Sequence, residues 1–397
     1  MRVGVIGIGQ CGGRLADILA YHSLWGRHQG ICPFAIAANS AQADLLGLQT
    51  IEKKDRILMG QTVMKGHGVG LRRHIGAKVT KQGLHSLMHS ISEKTVHHVD
   101  AFLVTAGLGG GTGSGGLPVI VSKLKQVYDE PVYAIGVIPS EDEGQLMSLN
   151  ASECLEELDG VADGILLFDN DVWKKEGRSL ETSYSMMNYE LIKPLPLLLG
   201  AGETENKSVG IKVIDASDIM ASWSGFAYIG YSELKAVSTS DKFRFFKKKR
   251  NSIDELSPAM RCYTVIRNAA TLRLTGEADI HEARKALMII AGPPDELNME
   301  GFSHAKNWLE NAIATSEVRG GDFPIRGWDS VAGVVLLSGY SEIARLNVKL
   351  KSMAEEAVSE DVAPKEAVSK TRDNGTKGRK TPPTDDEEVT TAWQGSN

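Results

Sequence analysis

Cysteines are few in this sequence, and their positions exclude two common kinds of structural support. The four are Cys11, Cys32, Cys154 and Cys262, with no CxxC pair and no paired spacing. We therefore expect neither a disulfide framework nor a cysteine-based zinc site. The pattern suits a reducing compartment, which we expect to be the cytoplasm.

Long hydrophobic runs and a dominant charge sign are also lacking. No uninterrupted apolar stretch approaches the roughly 18 residues that a membrane-spanning helix needs. The first residues, MRVGVIGIGQCGG, lack the cleavage pattern of a signal peptide. Lys and Arg total 44 and Asp and Glu total 50, and the resulting charge of −6 argues against bulk nucleic-acid binding.

Glycine and apolar residues, by contrast, are plentiful, at 42 glycines in 397 residues and an apolar share of 42%. Short apolar strands alternate with helical patterns over about residues 1–180, which predicts a doubly wound parallel α/β domain. The same alternation predicts a second, smaller α/β domain over 205–350. A long helix over 181–204 would connect the two, although Pro194 and Pro196 should bend or end it.

Two further segments have unusual compositions. Charged residues, Thr and Pro dominate 351–397, which we predict to be a disordered tail. Its one aromatic residue, Trp393, is either a chance residue or part of a short peptide that docks on another protein. The basic and aromatic segment 242–250 is either a solvated loop or a contact for an acidic surface, such as an anionic membrane.

Two glycine-rich segments each lie between a predicted strand and a predicted helix. They are GIGQCGG at 7–13 and GGGTGSG at 109–115, and we expect Pro118 to open the helix that follows the second. Glycines at this position let backbone N–H groups and a helix N-terminus face a phosphate. No lysine follows the second segment as in the GxxxxGK[ST] loop. The charge of a bound polyphosphate would therefore have to be met by backbone dipoles and a metal ion.

The first segment also fits the dinucleotide fingerprint. That fingerprint requires an acid at the end of the next strand, where this sequence has Asn39, and the next acid is Asp44. A nicotinamide-dependent oxidoreductase that uses Gly7, Gly9 and Gly12 is therefore an alternative.

The second segment is similar to the GGGTG(S/T)G signature of the tubulin/FtsZ superfamily of GTPases, and the resemblance extends over about residues 1–345. Within that superfamily, GQCGG, PSEDEG, RGGDFP and VVLLSG look most like the archaeal CetZ-type tubulin homologues. The resemblance implies a GTP-binding and GTP-hydrolysing cytoskeletal protein that assembles head to tail into filaments. It also implies that Mg²⁺ accompanies GTP or GDP, and that the filaments control cell shape more than ring constriction.

The resemblance assigns nucleotide contacts to residues that match the motifs of the family. The first glycine segment would meet the phosphates, the second would cradle them, one acid would meet the ribose, and three residues would contact the base. Tyr184 and Asn188, four apart, share a helix face, although Tyr184 could be an ordinary core aromatic. The residues so assigned are Gln10, Cys11, Gly12, Gly13, Arg14, Asn39, Gly109, Gly110, Gly111, Thr112, Gly113, Ser114, Glu143, Asn170, Tyr184 and Asn188.

Asp215 and Asp218 are the candidate catalytic residues. A spacing of three at a helix start puts both carboxylates on one side, where they would also serve as a helix N-cap and a favourable acid. The resemblance implies that they project into the nucleotide site of the next subunit and orient the attacking water. Val213 and Met147 stand where FtsZ has Asn and Arg, so a GTP-binding scaffold that does not hydrolyse GTP is a second alternative.

Overall fold

The computed structural model describes most of the chain. The predicted basic segment 242–250 and, apart from residue 352, the predicted tail 351–397 lie outside the described residues. The described residues are 1–25, 30–94, 98–174, 180–201, 212–236, 256–315, 317–340, 350 and 352.

The strands of the described residues form one mixed sheet. They are β1 (Val3–Ile8), β2 (Phe34–Asn39), β3 (Arg56–Leu58), β4 (Ala101–Gly107), β5 (Val132–Ile138), β6 (Gly164–Asp169), β7 (Gly225–Lys235), β8 (Lys285–Gly292), β9 (Glu317–Pro324) and β10 (Ser330–Tyr340).

The strand order is β3-β2-β1-β4-β5-β6-β7-β10-β8-β9. Every neighbouring pair from β3 to β7 is parallel, and so is the pair β8 and β9. Strand β10 runs antiparallel to both β7 and β8. The predicted parallel α/β fold is therefore confirmed, because the short apolar runs are strands buried on both faces. The division at 1–180 and 205–350 stays a prediction, since the one sheet contains strands from both ranges.

Helices cover both faces of this sheet. None of the helices that the structure describes is long and apolar enough to cross a membrane. The helices are α1 (Gly9–Trp25), α2 (Gln42–Leu46), α3 (Gln61–Met64), α4 (Arg73–Lys94), α5 (Gly111–Val127), α6 (Gln145–Leu158), α7 (Asn170–Trp173), α8 (Leu180–Ile192), α9 (Leu195–Gly200), α10 (Ala216–Ser222), α11 (Pro258–Leu272) and α12 (Met299–Ala312).

Two hydrophobic cores result, one on each face. Buried residues of α4, α5, α6, α11 and α12 pack against one face, with Leu117 and Val265 at 0% exposure. Buried residues of α1, α8, α9 and α10 pack against the other face, with Leu15 and Ile219 also at 0%. The arrangement places each strand-to-helix turn of the parallel part at one edge of the sheet.

Helix α5 begins earlier than the sequence predicted. We expected Pro118 to open this helix, and that prediction is wrong, because the helix starts at Gly111. Glycines are needed in the first turns of this helix because α4 crosses it closely and leaves no room for side chains. A Cβ on Gly115 would lie 2.2 Å from the carbonyl oxygen of Arg73, and one on Gly76 would lie 2.0 Å from that of Gly111.

The predicted connecting segment is interrupted, as its prolines indicated. Helix α8 ends at Ile192, and the short helix α9 follows with Pro194 as its N-cap and Pro196 in its first turn. A proline lacks the backbone N–H that would continue the helix, so the break falls at this point.

Candidate functional site

A cleft opens at the edge of the sheet where the parallel strands end. Strand β1 lies between β2 and β4, so the strand order reverses there, which is the usual position of a ligand site in a doubly wound sheet. The cleft has a volume of about 510 Å³, within the range of small-molecule sites. Its walls come from the turns after β1, β2, β4, β5 and β6, and from the face of α8.

Most of the nucleotide contacts assigned from the sequence line this one cleft. They come from six separate segments of the chain, which only the fold brings together. The assigned residues in its lining are Gln10, Cys11, Arg14, Asn39, Gly109, Gly110, Gly111, Thr112, Gly113, Glu143, Asn170, Tyr184 and Asn188.

The remaining three assigned residues shape the turns behind the lining. The carbonyl oxygen of Gly12 accepts a hydrogen bond of 2.8 Å from the hydroxyl of Thr105. Gly13 is buried against core side chains. The Ser114 hydroxyl donates to the carbonyl oxygen of Gly110 at 2.7 Å, within its own helix. These groups are engaged in holding the two glycine segments in place.

The floor of the cleft is backbone, because the two glycine segments touch. Gly9 has a φ of +73°, and a Cβ there would lie 3.1 Å from the backbone nitrogen of Gly113. A Cβ on Gly113 would lie 2.4 Å from the carbonyl oxygen of Gly107. Helices α1 and α5 therefore both begin at the cleft, and the positive ends of their dipoles and their free N–H groups favour an anion.

Charge in the cleft is sparse and mixed. Among the described residues that line it there is no lysine, and the charged or titratable ones include Arg14, His67, Asp44 and Glu143. Burial raises the pKa of the Cys11 thiol to about 12, so this thiol is neutral at physiological pH. A bound polyphosphate would thus be held mainly by amides and helix ends.

Glu143 is the centre of a polar cluster on the far side of the cleft. One of its carboxylate oxygens accepts hydrogen bonds from the backbone nitrogen of Ser140 at 2.9 Å and from Nδ2 of Asn170 at 3.1 Å. Tyr184 lies beside it, and partial burial together with the charge of Glu143 raises the pKa of the phenol. A carboxylate, an amide and a phenol at one place suit the hydroxyls and edges of a nucleoside.

The end of β2 is tied to the second glycine segment. Asn39 donates from Nδ2 to Asp44 at 2.9 Å, and its Oδ1 accepts from the backbone nitrogen of Ser40 at 2.7 Å. The hydroxyls of Ser40 and Thr112 are 2.7 Å apart. Asn39 therefore has a clear structural role in addition to facing the cleft.

Two contributors to the cleft are not among the nucleotide contacts assigned from the sequence, and Asn150 was missed altogether. The loop residues 67–71 form part of its wall, with Gly68 at a φ of +79° and Gly70 at +63°. Asn150 on α6 lies behind them and donates from Nδ2 to the carbonyl oxygens of Leu71, at 2.9 Å, and Gly109, at 2.8 Å. The one available signal for Asn150 was an amide on the buried side of an amphipathic helix.

The candidate catalytic acids lie elsewhere, at the start of α10. Oδ1 of Asp215 accepts from the backbone nitrogen of Asp218 at 3.0 Å, and Oδ2 of Asp218 accepts from that of Asp215 at 3.3 Å. The predicted N-cap is thus confirmed. A hydrogen bond from the hydroxyl of Ser217 holds the pKa of Asp215 below its usual range. Neither acid lines the cleft of its own subunit.

Comparison with known proteins decides the family. Residues 2–177 match the GTPase domain of the tubulin/FtsZ family, and residues 177–356 match the C-terminal domain of tubulin-like CetZ proteins. Tubulin-like protein CetZ3 of Haloferax volcanii is 40% identical over 379 residues, which is 94% of this chain and 97% of that protein.

The chain belongs to the CetZ group of the tubulin/FtsZ family. The GDP-bound CetZ1 monomer of H. volcanii aligns with a TM-score of 0.78 and 38% identity over 90% of this chain and 100% of its own. The GTPγS-bound CetZ2 protofilament of H. volcanii aligns with a TM-score of 0.77 and 32% identity over 91% of this chain and 99% of its own.

As a member of that group, the chain is a GTPase. The CetZ resemblance inferred from the glycine segments is confirmed, and the nicotinamide and non-hydrolysing alternatives are not supported. The GTPase-domain match covers both glycine segments, Glu143 and Asn170. Asp215 and Asp218 fall in the CetZ C-terminal domain.

A divalent metal fits this site only together with a nucleotide. Among the described residues, no group of three His, Cys, Asp or Glu side chains is placed to hold a metal ion. The Asp44 carboxylate and the Thr112 hydroxyl do line the cleft. Mg²⁺ typically binds through one or two protein oxygens, substrate phosphates and water, so these donors fit an ion carried by the nucleotide.

Proposed function

We propose that this CetZ-family chain binds GTP and GDP in the cleft and assembles head to tail with further copies. GTP is then hydrolysed where Asp215 and Asp218 of one copy meet the cleft of the next. The observation that carries the proposal is that the assigned nucleotide contacts and the candidate catalytic acids lie at different places in the subunit. Most of the residues assigned as nucleotide contacts line the cleft, whereas the acids lie exposed or half-exposed at the start of α10, outside its lining.

In the proposed complex, the two helix ends and the glycine amides hold the phosphates, and Arg14 adds a positive charge. Glu143 accepts from the ribose hydroxyls, and Asn170, Tyr184 and Asn188 contact the guanine base. The related CetZ1 structure is described as GDP-bound, and the CetZ2 structure as a GTPγS-bound protofilament. Both descriptions support a guanine nucleotide and self-association for this chain.

The two acids of the neighbouring subunit would supply the carboxylates that orient the attacking water. An exposed aspartate is ionised at neutral pH, so Asp215 can accept hydrogen bonds from water and orient it toward the terminal phosphate. Mg²⁺, bound with the nucleotide, would neutralise part of the phosphate charge. Because the contact is heterologous and does not close, repeated association produces filaments.

We also propose that the protein acts in the cytoplasm. All four cysteines are unpaired, which supports a reducing cytoplasm. A role in cell shape, a protein that binds the tail, and contact of 242–250 with a membrane surface stay predictions from the sequence.

The test follows GTP hydrolysis and light scattering together across a series of protein concentrations. We expect negligible turnover in dilute protein and a rate per subunit that rises steeply as filaments form. Asp218→Ala should keep GTP binding and lose turnover, whereas Glu93→Ala, which removes an exposed acid on α4, should behave like the unaltered protein. A rate per subunit that stays flat across the series would contradict hydrolysis between subunits.

A further inference from the structure

Strand β9 carries an arginine next to the acids of α10. Side chains alternate along a strand, so Arg319, Gly321 and Phe323 share one face of the sheet. On that face Phe323 packs in the same core as Ile214 and Ile219, which flank the start of α10. The sequence RGGDFP therefore forms the support on which the acid-bearing turn rests.

The first part of this support fixes the chain just before the acids. Lys212 donates from its backbone nitrogen to Oδ1 of Asp322 at 2.6 Å, and the backbone nitrogen of Asp322 donates to the carbonyl oxygen of Lys212 at 3.1 Å. A Cβ on Gly321 would lie 2.7 Å from both that carbonyl oxygen and Cγ1 of Ile214. The turn thus lies directly against the backbone of β9.

The second part reaches an acid itself. Nε of Arg319 is 3.4 Å from Oδ1 of Asp218, while Nη1 of Arg319 donates to Glu317 at 2.7 Å. The other oxygen of Asp218 accepts from the backbone nitrogen of Asp215 at 3.3 Å. Each oxygen of Asp218 is therefore held by a different element, and the side chain is still 37% exposed.

We propose that Arg319 is a positioning residue for GTP hydrolysis between subunits, acting through Asp218. The inference rests on the proposed function. The helix cap restrains one carboxylate oxygen, and the guanidinium restrains the other, so together they fix the plane that meets the attacking water. Without Arg319, the carboxylate turns about its remaining bond, and a misplacement of about 1 Å can cost on the order of 100-fold in rate.

The first experiment replaces Arg319 and measures turnover, filament mass and GTP binding separately. Arg319→Gln should lower turnover per assembled subunit roughly 10- to 100-fold, with the KM for GTP and the filament mass little changed. Arg319→Lys, which keeps the charge but not the planar fork, should recover part of the rate. Arg267→Gln, an exposed arginine on α11 across the sheet, is the matched control and should match the unaltered protein.

Mixed filaments locate the defect. Glu143→Ala subunits have intact acids, so adding them to Arg319→Gln subunits should restore turnover in the Arg319→Gln clefts that they cap. Adding Asp218→Ala subunits should not, because both changes affect the same end of the subunit. Unchanged turnover in Arg319→Gln, a loss that merely follows filament mass, or failure of the first mixture to recover would each overturn the assignment. Full activity of Asp218→Ala would instead refute the proposed function itself.

Discussion

Removing the Asn150 side chain should loosen two walls of the nucleotide cleft at once. Asn150 is 3% exposed, and its amide nitrogen bonds to the carbonyl oxygens of Leu71 and Gly109. Both acceptors belong to residues that line the cleft. Asn150→Ala deletes the shared donor and leaves a small cavity between α6 and the two segments.

The expected cost follows from the two bonds. A hydrogen bond contributes about 0.5–1.5 kcal/mol net, and a buried acceptor left unpaired costs about 1–3 kcal/mol. The bond to Gly109 is buried and counts in full, whereas that to Leu71 is partly buried, so water can replace it in part. We expect the free energy of unfolding to fall by about 2–4 kcal/mol.

Chemical denaturation followed by circular dichroism, with and without GDP, measures this effect. Because the loosened segments belong to the cleft, GDP should raise the stability of Asn150→Ala less than that of the unaltered protein at equal concentration. Asn311→Ala, an exposed position on α12, controls for the change in helix propensity and should shift stability by under about 0.5 kcal/mol. An equally small shift for Asn150→Ala, or an undiminished GDP effect, would refute the reasoning.

Two further predictions concern packing and pH. Gly115→Ala should lower the free energy of unfolding by at least about 1–3 kcal/mol, because its Cβ would lie 2.2 Å from the carbonyl oxygen of Arg73. Gly110→Ala is the control, since a Cβ there meets nothing within 4 Å. Equal denaturation midpoints for Gly115→Ala and Gly110→Ala would contradict the close crossing of α4 and α5. Burial raises the pKa of Cys11 and Cys154 from about 9 to about 12. Between these two pH values both thiols are protonated in the folded protein but ionised in the unfolded chain. Their contribution to stability is therefore complete below pH 9 and is lost as the pH rises toward 12. Cys154 is also 0% exposed, so iodoacetamide at pH 8 should modify it only after unfolding; rapid labelling of Cys154 in the native protein would disprove this.

The parallel strands were predictable because their signal is local. Strands β1 and β4 are buried on both faces, so each appears in the sequence as a short, mostly apolar run that leads into a glycine-rich segment. Strand β9 has no such signal, since Gly320 and Gly321 disfavour a strand on propensity alone. Gly321 reflects the close approach of the Lys212 carbonyl, and Gly320 reflects that of the Met288 side chain; both are contacts between distant segments.

The predicted start of α5, at Pro118, was wrong for a related reason. Glycines and Pro118 argue against a helix when the segment is considered alone. In the fold, a side chain at Gly115 would collide with the backbone of α4, and one at Gly111 would collide with the backbone of the loop just before α4. Packing between helices therefore overrode the intrinsic preference of the segment.

The sequence alone was sufficient for the class of fold, the family and most of the cleft. Motifs at the ends of parallel strands meet at one edge of a sheet, so Gly9, Gly109 and Glu143 could be expected to converge from spacing and resemblance. Tertiary structure alone decided that Asn150 holds the cleft walls and that Arg319 reaches Asp218. These contacts join residues 41 to 101 positions apart, and their distances depend on the path of the whole chain, which no local pattern of residues encodes.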